Sequence, residues 1–145
     1  MKFLVQKVKH ASVSVDGINV GTIDKGILLM IGIKYNDTKE ITDYMIKKLI
    51  NLRIFEDEND KLNLSLQDVN GELLVISQFT LYADCNSGNR PSFSDAAKSD
   101  KANELYNYII NELKEKIKKV ETGKFGEHME VELLNDGPVT IMLEK

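Results

Sequence analysis

GILLMIGI, residues 26–33, contains the longest apolar run in the chain, and its reading decides the fold. The run is strand-sized and falls far short of the roughly 20 residues that a membrane helix needs. It is continuous rather than alternating, which marks a strand covered on both faces. A strand of that kind lies inside a sheet, with neighbours on either side and another layer above. Upstream, Phe3, Val5 and Val8 read as a first strand. Val13 and Val15 alternate with Ser12 and Ser14, and Asp16-Gly17 supplies a hairpin turn signal. Ile18, Val20 and Thr22 form the return strand.

Downstream the period changes. Asp37 or Thr38 reads as a helix N-cap, and Ile41, Met45, Leu49 and Leu52 recur at helical spacing, so a helix is expected over 38–51. Arg53-Ile54-Phe55 reads as a short strand. EDENDKLNLSLQDVNG (56–71) is polar and turn-rich, with Leu62, Leu64 and Leu66 alternating. LLVISQF (73–79) is a second buried strand. CNSGNRPSFSDAAKSD (85–100) is the one long loop, and long loops in small domains often carry function. Ser99 or Asp100 then caps a helix over about 101–118, striped by Ala102, Leu105, Tyr106, Ile109, Leu113 and Ile117. Strands return over 120–122, 129–134 and 139–143. With this many apolar strands, a single open sheet would leave one face bare. The expectation is one α+β domain over 1–145: a curled, barrel-like, largely antiparallel sheet packed by two long helices.

Composition narrows the function. The chain has 145 residues, 42% of them hydrophobic, enough for one domain with a real core. The N-terminus alternates apolar and polar residues, unlike a secretory signal. Cys85 is the only cysteine, so no internal disulfide forms and a reducing, cytoplasmic setting fits. The net charge of −4 argues against coating a nucleic-acid duplex, while contact with one small piece of a nucleic acid stays open. Seventeen of the nineteen basic residues are lysine; Arg53 and Arg90 are the exceptions.

Nucleophile-elbow and P-loop patterns are absent, as is any zinc spacing, so no metal or cofactor is expected. His10 and His128 read as ordinary surface or packing residues, and nothing basic adjoins Cys85 to activate it. Two stretches stand out. Ser77-Gln78-Phe79-Thr80 places three hydrogen-bonding side chains at the end of an apolar strand, read either as a strand meeting solvent or as a ligand site with backbone N–H donors. Asn135-Asp136-Gly137-Pro138-Val139-Thr140 interrupts a strand with Gly-Pro. From the residues alone an ordinary trans turn accounts for it. The residues by themselves give a β/α domain and leave a small-ligand site as one of two readings of the Gln78 strand end.

Together, in order, these two stretches resemble the D-aminoacyl-tRNA deacylase (D-tyrosyl-tRNA deacylase) family. Gln6 and Val8, Ala11-Ser12-Val13, Asp16-Gly17, Arg53-Ile54-Phe55, Arg90-Pro91-Ser92-Phe93 and Gly123-Lys124-Phe125-Gly126 before Met129 extend the match along the whole chain. The resemblance implies hydrolysis of the ester between a D-amino acid, or mischarged glycine, and the terminal adenosine of tRNA. It implies a homodimer in which each subunit's Gly137-Pro138, in the cis form, enters its partner's pocket and excludes L side chains. It gives the backbone N–H groups of Phe79 and Thr80 the oxyanion, Gln78 the positioning of carbonyl or water, and Ser77, Phe125 and Met129 the substrate wall. Thr80 as nucleophile is disfavoured, because no base adjoins it in sequence. Lys7 stands where the family commonly has arginine and is expected to brace the Gly-Pro loop less rigidly. Arg90 is expected to hold the loop beside the pocket or to touch the tRNA end, the loop role being the preferred one. The rival reading is a non-catalytic module that binds the tRNA 3′ end or a nucleotide.

Overall fold

A computed structural model describes residues 1–145. Its organising element is β1 (Lys2–Val15), long enough to serve three partners. One edge of β1 pairs with β3 (Gly26–Gly32) through residues 2–8 and with β2 (Ile18–Ile23) through residues 11–15. The other edge carries β8 (Glu130–Glu144) along nearly its whole length. All three pairings are antiparallel. The sheet continues from β3 to β6 (Glu72–Ser77) and β7 (Val120–Thr122), and these two pairings are parallel. The pairings are largely antiparallel, as expected, and the parallel half has a topological reason. Each parallel step needs a crossover, and α1 (Lys39–Ile50) and α2 (Ser99–Lys114) supply them. A small hairpin of β4 (Phe55–Glu56) and β5 (Leu62–Leu64) follows α1.

The sheet curls until β2 meets β7: a Cβ on Gly21 would stand 3.2 Å from the Thr122 carbonyl oxygen. Two cores result, and the period-2 geometry of the strands separates them. Ile27, Leu29 and Ile31 of β3 and Leu73 and Val75 of β6 face the helices, against Met45, Leu49, Leu105, Ile109 and Leu113. Leu28, Leu74 and Ile76 face the barrel interior with Val8, Ala11, Val13 and Ile23. GILLMIGI is buried on both sides because both cores claim it.

Several boundaries differ from expectation. β1 is one strand rather than two. Lys9 and His10 are exposed there, and its register against β8 shifts between Gln6 and Val8 and between Val8 and Ala11. Thr38, not Asp37, caps α1, its hydroxyl accepting from the Ile41 N–H at 3.4 Å. Asp37 is buried and accepts from the Met1 ammonium at 2.8 Å and from the Lys34 N–H at 2.7 Å. α2 starts at Ser99, with Lys98 at the cap position and no side-chain cap, and ends at Lys114, although Ile117 remains buried. β8 passes through NDGPVT as one strand, so the expected pair of strands is a single strand with an excursion.

Candidate active site

At the C-terminal end of β6 the apolar strand runs out at Ser77, and a 3-10 turn over Phe79–Tyr82 begins. Gln78 is the hinge: its N–H donates to the Ile31 carbonyl at 2.7 Å, and its carbonyl accepts the first bond of the turn, from Leu81 at 3.2 Å. The N–H groups of Phe79 and Thr80 precede that bond, so the turn itself does not use them. Two adjacent donors are thus presented at a strand end.

Beside them opens a cavity of about 450 Å³, within the range that holds small ligands. Ser77, Gln78 and Phe79 form one wall; Phe125, His128 and Met129 form another. Ile31, Ile33 and Ile76 floor it from the strands, and Ser99 and Ala102 close it from the first turn of α2. Phe125 is half-buried and packs on Tyr106, ring centroids 5.7 Å apart, so it belongs to core and cavity at once. Tyr106 is fixed from behind by donating its hydroxyl to the Val75 carbonyl at 2.8 Å; burial pushes this phenol well up. Met129 presses on the backbone at Gly123, where any Cβ would meet its sulfur.

The structure therefore brings Ser77, Gln78, Phe79, Phe125 and Met129 to one cavity. Thr80 is exposed and off the cavity wall; its hydroxyl accepts from Gln78 Nε2. No histidine or lysine hydrogen-bonds to it. Arg90, expected to hold the neighbouring loop, is exposed and makes no hydrogen bond or ion pair. Within the chain, Phe93 packs that loop onto the site. Its ring meets Phe79 edge-on with centroids 5.0 Å apart, and the backbones of Asp84 and Ser92 pair at 2.8 and 2.9 Å. An aromatic three residues beyond Arg90 was the available sequence signal, but nothing local says which ring it will meet. His128 was read as an ordinary residue and stands on the cavity wall; its sequence neighbours carry no pattern that marks it. Cys85 and His10 are exposed, away from the cavity. No cluster of metal-ligating side chains is present.

Gly137-Pro138 lies elsewhere on the chain. The bond is cis, both residues are exposed, and neither lines the cavity of its own chain. Gly137 has φ +127°, a region that favours glycine. The segment is tied down from behind. Asn135 Nδ2 donates to the Lys7 carbonyl and to the Val139 carbonyl, each at 3.0 Å, spanning the excursion like a strut. Lys7 is buried, with its ammonium 2.5 Å from Glu56 Oε1 and 3.4 Å from Asp136 Oδ2. The hydrogen bond from Lys7 holds the Glu56 carboxyl below its usual range. Gln6 Nε2 reaches Thr140 Oγ1 at 3.3 Å. The outer edge of β8 is unpaired, and Leu134 and Met142 on it are 47% and 45% exposed.

The model of the D-Tyr-tRNA(Tyr) deacylase family matches residues 4–144. A D-aminoacyl-tRNA deacylase of Thermosipho africanus (strain TCF52B) is 54% identical over 144 residues, covering 99% of this chain and 97% of that one. One from Clostridium acetobutylicum is 55% identical over the same shares. Among solved structures, a c-Myc DNA unwinding element binding protein superposes with a TM-score of 0.95 at 40% identity, covering 100% of this chain and 99% of that one. A probable eukaryotic D-amino acid tRNA deacylase has the same fold, with a TM-score of 0.84 at 16% identity over 98% and 97% of the two chains. No helix is long and apolar enough to cross a membrane.

Proposed function

The chain belongs to the D-Tyr-tRNA(Tyr) deacylase family, and from that premise we propose that it hydrolyses the ester joining a D-amino acid to the terminal adenosine of tRNA, releasing free amino acid and tRNA. It is an ester hydrolase. The observation that carries the mechanism is the pair of N–H donors at Phe79 and Thr80 beside an aromatic-walled cavity. An aminoacyl ester is already labile. The site has to orient it and stabilise the negative charge that grows on the carbonyl oxygen when water adds. Preorganised backbone donors do this without rearranging, at about 3–4 kcal/mol for a well-placed donor. The Gln78 side chain, its amide nitrogen engaged by Thr80, offers its carbonyl oxygen to the water or to the substrate amine. Phe125 borders the adenine, whose face suits an aromatic neighbour. The tRNA's own 2′-hydroxyl assists the attack, which leaves few side chains indispensable.

Thr80 is not the nucleophile in this reading. Its oxygen accepts a hydrogen bond from an amide, and no base contacts it to remove its proton.

Chirality is screened by main chain. In a homodimer built on the open edge of β8, Gly137-Pro138 of one subunit enters the cavity of the other and faces the substrate α-carbon. A carbonyl wall cannot swing aside as a side chain can, so an L side chain clashes and a D side chain points outward. Glycine escapes, having nothing to clash, and glycyl-tRNA is cleaved by the same geometry. Rejection matters more than tight binding here, since L-aminoacyl-tRNA is the abundant species to be spared. Lys7 supports the loop through Asp136 with a point charge, where a guanidinium would grip two oxygens at once. The setting is the cytoplasm, where aminoacyl-tRNA is made and used.

The test is direct. Incubation with D-tyrosyl-tRNA and L-tyrosyl-tRNA is expected to release D-tyrosine and spare the L ester. Binding of tRNA without release of D-tyrosine would reduce the protein to a nucleic-acid-binding module.

A further inference from the structure

A second cleft, of about 430 Å³, opens at the C-terminal end of α1. Tyr44, Lys47, Lys48, Asn51, Leu52 and Arg53 line it, and no carboxylate is among them. Lys145 adds a fourth cation, its ammonium 5.3 Å from the centre of the Tyr44 ring. On a chain of net charge −4 this is a local reversal of sign. Lys2, Lys7, Lys9, Lys34, Lys116 and Lys119 each pair with a carboxylate; Lys47, Lys48 and Lys145 are among the lysines that pair with none. The helix dipole accounts for cations in the last turn of α1, but not for Arg53 beyond it, Lys145 just past the end of β8, or the 49% exposure of Tyr44. Arg53 donates Nε–H to the Asn63 carbonyl at 2.7 Å, which fixes its planar head at the cleft wall and leaves further donors of its five.

Cations grouped around a half-exposed aromatic ring suit a phosphodiester chain with its bases or riboses beside the ring. We infer that this cleft holds the ribose-phosphate backbone of the tRNA substrate away from its aminoacylated end. The inference rests on the deacylase reading and names a contact that reading lacks. The placement fits. Ile33 lines the catalytic cavity, α1 begins six residues later, and the cleft is lined from Tyr44 within that helix to Arg53 just past its end. On this inference the two sites engage one tRNA, the ester in the cavity and the backbone in the cleft. The cleft supplies affinity without touching the ester, so it acts on full-length tRNA and is silent for a fragment too short to reach it.

The test is the Lys47→Gln/Lys48→Gln double variant, which removes charge and keeps good helix formers. Steady-state kinetics would be measured with D-tyrosyl-tRNA and with D-tyrosyl-adenosine. With tRNA, KM is expected to rise about tenfold near 0.1 M salt with kcat unchanged, and the slope of log KM against log salt to fall by about one to two. With D-tyrosyl-adenosine, kcat/KM is expected to stay at the wild-type value. Unchanged KM and salt slope with tRNA would overturn the inference, as would an equal loss on both substrates. Should the wild type cleave neither ester, the deacylase reading fails by itself. Filter binding of uncharged tRNA by wild type and variant then still decides the cleft, with weaker, less salt-sensitive binding by the variant expected.

Discussion

Asn135 is the residue through which the support of the Gly137-Pro138 segment can be read most sharply. Its Nδ2 donates to two carbonyl oxygens, of Lys7 and Val139, at 3.0 Å each. Both partners are pure acceptors, so only an NH₂ group fits. Asn135→Ala removes two hydrogen bonds worth about 1 kcal/mol each. The site is partly buried and water recovers some of that, so a loss of about 1–2 kcal/mol is expected. Asn135→Asp keeps the shape and replaces the donor with a charged acceptor aimed at the same two oxygens. The Lys7 ammonium gives no relief, being engaged by Glu56 and Asp136. Aspartate should therefore cost more than alanine, about 2–4 kcal/mol in all, despite being the isosteric change. For a chain of this length that lowers the melting midpoint by roughly 4–16 °C. Urea denaturation at pH 7 ranks the variants. A second signature comes from protonation. Opposed by carbonyls, the introduced carboxyl has its folded-state pKa raised, so its penalty is full above that pKa and is relieved as pH falls through it. The gap between the aspartate and alanine variants should close toward pH 4. Under the proposed function both variants also hydrolyse L-tyrosyl-tRNA faster relative to the D ester. An aspartate variant as stable as the alanine variant at pH 7 would refute the strut.

Other outcomes follow from the same structure. Thr80→Ala should retain hydrolysis of D-tyrosyl-tRNA within about tenfold in kcat, whereas loss of a true nucleophile costs on the order of 10⁴-fold or more; single-turnover rates separate these. Tyr106→Phe removes a buried hydrogen bond to the Val75 carbonyl, which keeps the Gly123 N–H at 3.2 Å as a second partner. The expected cost is about 1 kcal/mol, read as a shift in urea midpoint with an unchanged slope. Glu72 is held below its ordinary value of 4.5: burial pushes it up, but donation from Lys119 and from the Asp24 N–H outweighs that. A depressed carboxylate contributes stability above its unfolded-state pKa and loses it as pH falls through the folded one, so Glu72→Gln should flatten the decline in stability below about pH 4.5. Denaturation midpoints from pH 7 to 3 check this.

Strand and helix content followed from local physics, and the residues show why. GILLMIGI is apolar at every side-chain position, and its short length between glycines favours a strand with both faces covered over a buried helix. α1 and α2 carry their apolar residues on one stripe each, and Thr38 marks where the first begins. What sequence could not say was which half of the sheet runs parallel, because that depends on where a helix returns the chain and not on any strand's own pattern. Nor could it show that β8 continues unbroken through NDGPVT. Gly and Pro are strand breakers locally, and only β1, with its displaced register around Val8 and the Asn135 strut, makes the excursion part of a strand. The site divides the same way. Ser77-Gln78-Phe79-Thr80 was visible as a polar run at a strand end, since polarity against an apolar strand is a local contrast. Phe93, His128 and the Tyr106 brace were not, because each acts by meeting a residue distant in the chain. Which rings and donors share a cavity is decided by how the sheet curls, and a curled sheet is a property of all its strands together.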